Sequence, residues 1–194
     1  QEGYIVMSID PRGVATPRGR QWRKCVYGKV GIIPPADHAA AVTKLLQTYS
    51  FMDPDRIGIW GWSGGGSSTA HLMFKYPSIY STGIAVAGVY SQYLYDTIYQ
   101  ERYMGLPSTN PQGFHDGSPI NFAGGLKGDL LLIHGTGDDN VHYQSCEMLV
   151  NELIRQNKMF DMLSYPMRSH SINERENTTY HLYQYMFRYW EEHL

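Results

Sequence analysis

Short apolar runs alternate with longer amphipathic stretches along this chain, and that alternation limits its possible folds more than any other feature. Five runs read as strands: residues 3–9 (GYIVMSI), 56–61 (RIGIWG), 82–89 (TGIAVAGV), 129–134 (DLLLIH) and 160–165 (FDMLSY). Turn residues such as Asp10-Pro11 and Asp53-Pro54-Asp55 bound them. Residues 37–49, 64–76, 93–104, 141–157 and 178–192 read as helices, with Asp37 placed to cap the first of them. Residues 14–35 and 105–127 read as loop. Strands separated by helices of this length build βαβ units, so the expected class is α/β, a mostly parallel sheet with helices on both faces. Ligand sites in such sheets lie at the carboxyl ends of the strands.

Composition excludes several functions. Sixteen Lys and Arg against 18 Asp and Glu leave a net charge of −2, too balanced for binding nucleic acid by bulk charge. With 42% hydrophobic and 18% charged residues the chain is not a disordered tail. No stretch approaches the ~18 consecutive apolar residues of a membrane span. Cys25 and Cys146 lie in no CxxC; they read as two separate thiols, with a single bridge between them as the alternative. The chain opens QEGYIVMSID, without initiator Met or signal peptide, and enters a strand at once, which reads as a fragment of a longer protein.

The chemistry concentrates after the second strand, at Gly61-Trp62-Ser63-Gly64-Gly65-Gly66. This is G-x-S-x-G between strand and helix, a sharp turn that lifts a serine hydroxyl clear of the sheet. The helix that follows aims backbone N–H groups and a positive dipole end at the same place, where an oxyanion could be held. A serine nucleophile needs a base, and the base an orienting acid, in the chain order Ser, acid, His. Asp138 and Asp139 both follow the carboxyl end of LLLIH, and His170 follows the next strand. His134 precedes the acid and reads as part of its strand. His38, His71, His181 and His193 fall on helices, and no HExxH or similar ligand spacing points to a metal.

Three motifs carry a resemblance: GWSGGG, YDTIYQERYMGLP at 95–107 and HGTGDDNVH at 134–142. Together they resemble the catalytic domain of the dipeptidyl peptidase branch of the prolyl oligopeptidase family, over about residues 3–193. The resemblance implies an α/β-hydrolase three-layer sandwich spanning residues 1–194, incomplete on its N-terminal side and joined in the parent to a β-propeller that is absent here. It implies a serine exopeptidase that removes N-terminal dipeptides after Pro or Ala through an acyl-enzyme, with no cofactor and no metal. Carried over by motif, Ser63 is the nucleophile, Asp138 rather than Asp139 the triad acid, His170 the base, and Gly64 the backbone N–H donor to the oxyanion. Val89, Tyr95, Tyr99 and Val141 match the pocket for the proline ring, and Asn140 the residue that binds the carbonyl one position upstream. Tyr95 and Tyr99 are four apart, so a helix would put both rings on one side.

The expected partners are a peptide with a free N-terminus, the chain's own β-propeller, no nucleic acid, and a second copy as a homodimer where unpaired strand edges lie open. A periplasmic or extracytoplasmic location follows by family analogy. Three positions depart from the family pattern. Gly64 stands where a bulky Tyr is usual, which opens the slot. Ser171 replaces the Gly beside the base. Gln92 replaces a Trp that borders the pocket and should make it more polar. The family's second oxyanion donor, a tyrosine, and its anchors for the substrate's amino group are expected upstream of Gln1, so the fragment alone should be weakly active or inactive. The alternatives are an acyl-peptide hydrolase or esterase of the same fold, or a non-catalytic module whose site has decayed.

Overall fold

The computed structural model describes residues 3–194. Four strands form one sheet in chain order: β1 (Gly58–Trp62), β2 (Thr82–Val86), β3 (Asp129–Gly135) and β4 (Asp161–Tyr165). Every neighbouring pair is parallel, with Trp62 opposite Val86, Val86 opposite Ile133 and Ile133 opposite Leu163. The interior strand β2 is buried along its whole length, as its continuous run of small and apolar residues allows.

The helices are α1 (Gly19–Lys24), α2 (Ile33–Thr48), α3 (Gly64–Lys75), α4 (Thr97–Met104), α5 (Pro111–Asp116), α6 (Gln144–Arg155) and α7 (Thr178–His193), with 3₁₀ turns at Gln92–Leu94 and Pro119–Gly125. Alternate residues of β3 face opposite layers. Leu130 and Leu132 pack in one cluster with Val42 of α2, Leu72 and Phe74 of α3 and Leu149 and Leu153 of α6. Leu131 and Ile133 pack in the other with Leu182, Met186 and Tyr189 of α7. The apolar residues of α6 and α7 recur at steps of three and four, which builds one buried stripe on each helix. Full burial of each Leu contributes about 1.5–3 kcal/mol. The result is three layers, with α7 the main helix of the second face.

The fold class agrees with the sequence reading, but several elements differ from it. Residues 3–9 form no strand. Tyr4, Ile5, Val6 and Met7 are exposed, Val6 at 87%, and only Ile9 packs partly against the core. A strand needs a ladder beside it, and this run has none. It is tied to α2 instead, where His38 Nε2 meets the Ile9 carbonyl at 3.1 Å. Asp37 does not cap α2. The helix starts earlier, with Pro34 in its first turn where a missing N–H costs nothing, and the Asp37 carboxylate takes a forked bond from Arg12 at 2.6 and 2.9 Å.

The stretch 93–104 is not one helix. Asp96 accepts from the Tyr99 N–H at 2.8 Å and caps α4, so Tyr95 lies before the helix in extended conformation. The loop read at 105–127 contains α5 and a 3₁₀ turn, and the loop at 14–35 contains α1 and the start of α2. Strand β2 stops at Val86, three residues short of the reading. Both cysteines are free, Cys146 fully buried and Cys25 partly so.

Candidate active site

Parallel strands send their carboxyl ends to one edge of the sheet, and that edge collects the predicted residues. Ser63 follows β1, Val89 follows β2, Asp138 and Asn140 follow β3, and His170 follows β4. Ser63 has φ 58° and ψ −118°, a conformation that costs on the order of 1–3 kcal/mol for a residue with a side chain. Its neighbours hold it there. The Ser63 N–H donates to the Val86 carbonyl at 2.8 Å, and the Ser63 carbonyl accepts the Ser67 N–H at 3.0 Å. A Cβ at Gly61 would strike the Gly65 backbone and one at Gly66 the Val86 carbonyl, so the turn closes only with glycine at both places. A Cβ at Gly64 would meet nothing within 4 Å. Gly64 opens α3, so its N–H is one of the donors the helix leaves unpaired.

Asp138 is buried and Asp139 exposed, which separates the two adjacent aspartates. Asp138 Oδ1 accepts the backbone N–H groups of Asn140 and Val141, each at 2.9 Å. Asp138 Oδ2 accepts from His170 Nδ1 at 2.8 Å. The same oxygen lies 3.1 Å from His134 Nε2. Burial pushes the Asp138 carboxyl up, but the hydrogen bonds from His134, His170 and Asn140 outweigh it and hold the group at about 2. Asp138 is therefore a carboxylate at neutral pH.

The His170 loop is fastened from two sides. Trp62 Nε1 donates to the His170 carbonyl at 2.9 Å, and Glu174 accepts the N–H groups of Ser169 and Asn173 and the Ser169 hydroxyl. Ser171 is exposed, and among the described residues the loop closes without a bond from its side chain. Among the described residues no hydrogen bond joins the Ser63 hydroxyl to His170. Catalytic bonds are commonly long before substrate arrives.

The predicted binding residues assemble in part. Tyr95 donates its hydroxyl to Asn140 Oδ1 at 2.9 Å. The Tyr95 and Tyr99 rings meet edge to face, 5.4 Å between centroids, although only Tyr99 is on α4. Val89 and Val141 are 8% and 1% exposed, which suits the floor of a pocket rather than its rim. The Gln92 amide does not add polarity to a pocket. It is buried, with its Nε2 on the Gly117 carbonyl and its Oε1 accepting from Gln100. A cleft of about 440 Å³ runs beside His170 between Trp62, Ile172, Leu182 and Tyr183, and none of the five predicted binding residues lines it.

Three contributors were not read from the sequence. His134 reaches Asp138 across the turn, Trp62 holds the His170 loop, and Ser67 Oγ accepts the Val89 N–H at 2.8 Å while donating to the Ser63 carbonyl at 3.2 Å. The spacing His134-x₃-Asp138 was the one available signal for the first.

The chain is similar to known proteins over almost its whole length. A sequence model described as "Prolyl oligopeptidase family" matches residues 1–194. Venom dipeptidyl peptidase 4 of Apis mellifera is 37% identical over 97% of this chain and 25% of its own length. Dipeptidyl peptidase 8 of Homo sapiens is 36% identical over 99% of this chain and 22% of its own. The crystal structure of Porphyromonas gingivalis dipeptidyl peptidase 4 superposes with a TM-score of 0.91 at 39% identity, covering 95% of this chain and 26% of that one. The chain thus spans about a quarter of the length of these relatives.

Proposed function

Because this chain belongs to the prolyl oligopeptidase family, we propose that it is the hydrolase region of a serine exopeptidase that removes dipeptides from free N-termini, after Pro or Ala. The observation that carries the reading is the 2.8 Å bond between Asp138 and His170, on the sheet edge where the strained Ser63 also stands. The likeness to proteins named dipeptidyl peptidase supports the substrate class.

In the proposed reaction His170 Nε2 takes the Ser63 proton as Oγ attacks the carbonyl carbon of the second residue. The Gly64 N–H donates to the oxyanion. Asp138 keeps hydrogen on His170 Nδ1 and stabilises the imidazolium that forms. His170 then gives its proton to the departing amine as the C–N bond breaks, leaving an ester on Ser63. Water, deprotonated by His170, attacks that ester and releases the dipeptide.

Tyr95 and Tyr99 offer ring faces and edges to a prolyl ring, which is flat and apolar. Tyr95 occupies Asn140 Oδ1, and among the described residues the Asn140 Nδ2 group has no partner. That polarity presents a donor to a peptide carbonyl. The reading places the grip on the substrate's amino group outside these 194 residues, on the β-propeller it expects elsewhere in the protein.

The test is Ser63→Ala in the full-length protein, assayed with an Xaa-Pro reporter and a fluorophosphonate probe. Both signals should disappear. Full retained cleavage would sink the assignment, and preference for acyl-peptide or short-ester reporters would move the substrate class to those.

A further inference from the structure

His134 lies next to last in β3, with its side chain closed to solvent. Its Nε2 faces two oxygens, the Val141 carbonyl at 2.8 Å and Asp138 Oδ2 at 3.1 Å. A carbonyl and an ionised carboxylate only accept, so Nε2 must carry the hydrogen: it donates to the Val141 carbonyl and keeps Asp138 Oδ2 as a close second neighbour. Nδ1 is buried and has no partner among the described residues. The ring stands edge-on to Tyr143, 5.6 Å between centroids, and Tyr143 is itself bonded to Ser164 of β4 at 2.7 Å.

This changes the account of Asp138. A carboxylate has about four acceptor sites. In Asp138 three are filled, by two backbone N–H groups on Oδ1 and the His170 Nδ1–H on Oδ2, and the His134 Nε2–H stands beside the fourth, 3.1 Å from Oδ2. The oxygen that orients His170 thus also faces a second histidine, and that histidine is built into a buried strand rather than a loop.

We infer that His134 is a positioning residue for the Asp138–His170 pair: its Nε2–H fixes the direction of Asp138 Oδ2 and takes up part of its charge, which sets how firmly that oxygen holds the hydrogen on His170 Nδ1. The inference rests on the reading of Ser63, Asp138 and His170 as a triad. Through the Val141 carbonyl the same hydrogen also ties the acid to the segment that carries Asn140. The titratable groups facing His134 are Asp138 on the following turn, Tyr143 ahead of α6 and, through Asp138, His170 beyond β4. Asp139 on the same turn points to solvent, and no charged side chain of β2 or α3 is bonded to the ring among the described residues.

Removing the donor has two effects that can be separated. Asp138 Oδ2 loses a neighbour that limits its direction, although the two bonds to Oδ1 remain, so the plateau rate falls. Less of its charge is answered, so the protonated form of His170 is held more tightly and the acid limb of the pH–rate profile moves up.

The experiment compares His134→Gln, His134→Asn and His134→Leu in the full-length protein, by the rate of fluorophosphonate labelling at Ser63 across pH 5–9. A Gln amide nitrogen reaches the place of Nε2, and an Asn amide stops near Nδ1. The Leu and Asn variants should label about tenfold more slowly at the plateau, with the acid limb raised by roughly half a pH unit or more. The Gln variant should recover to within about threefold, with the limb restored. Asn and Gln differ little in bulk and polarity, so their contrast decides the matter even where Leu fails to fold. Equal rates and an unmoved limb in Asn and Gln would overturn the inference. A parallel Asp138→Ala variant separates the two levels: if it labels at the wild-type rate, the triad reading fails and takes this inference with it.

Discussion

Tyr95 and Asn140, 45 positions apart in sequence, are joined by a 2.9 Å hydrogen bond from the phenol to the amide oxygen. One comes from the segment after β2 and the other from the turn after β3, so the bond bridges two separate exits of the sheet. Removing it with Tyr95→Phe keeps the ring and frees Asn140 to rotate. The expected result is a three- to tenfold loss in kcat/KM on an Xaa-Pro reporter, mostly in KM, because the amide serves binding more than bond breaking. A loss wholly in kcat would contradict that division.

The two adjacent aspartates should behave very differently. Asp138→Asn keeps the shape but puts a donor where His170 donates and His134 stands close by, and kcat should fall by about 10³–10⁴. Asp139→Asn, on the exposed side of the same turn, should stay within about twofold of wild type. Steady-state kinetics on the two variants side by side checks the pair.

The glycines of the Ser63 turn should separate as sharply. Gly64→Ala adds a methyl into open space and should leave thermal stability within about 0.5 kcal/mol. Gly66→Ala drives a methyl into the Val86 carbonyl and the Gly88 backbone and should cost about 1–3 kcal/mol. Melting curves that placed the two variants together would refute the packing described for this turn.

A fourth expectation concerns acid stability. His71 of α3 is buried with its Nε2 on the Gly117 carbonyl, and burial, aided by Lys75, depresses its pKa to about 4. As pH falls below about 6.5 the unfolded chain takes up a proton that the folded chain refuses, so folding weakens with falling pH down to about 4. Across that window the loss should reach roughly 3 kcal/mol. Urea unfolding of this region at pH 7 and pH 4.5 should show it, and His71→Gln should flatten that dependence.

The sheet was legible because interior parallel strands advertise themselves: TGIAV and LLLI are apolar on both faces, and little else folds that way. Residues 3–9 carry an equally apolar pattern, but a strand exists only beside a partner, and composition does not supply one. The break at Tyr95 was present in the sequence as Asp96, a capping residue one step before α4, and was lost because the tyrosines on either side suggested one continuous period. Ser63, Asp138 and His170 could be placed after strands because a parallel sheet fixes which loop ends share an edge. Between Asp138 and Asp139, position in the chain offers no choice, and it is burial in the turn that distinguishes them. His134 offers only its spacing to Asp138 as a signal, for a related reason. A histidine at a strand end looks like core, and only the turn's path brings the residue four places on back against its ring.

The division of labour along the sheet edge has an evolutionary consequence. Ser63, Asp138 and His170 hang from β1, β3 and β4, while Tyr95 and Tyr99 hang from the segment after β2. On the proposed function, substitutions in that one segment would change the rings offered to a substrate without touching the strands that carry Ser63, Asp138 and His170. The Tyr95–Asn140 bond is the point at which such drift would first be felt by the rest of the site. On the proposed function the two tyrosines thus stand on a stretch of chain apart from Ser63, Asp138 and His170, whereas Asn140 and Val141 share the turn of Asp138, so a change at that turn reaches binding and reaction together.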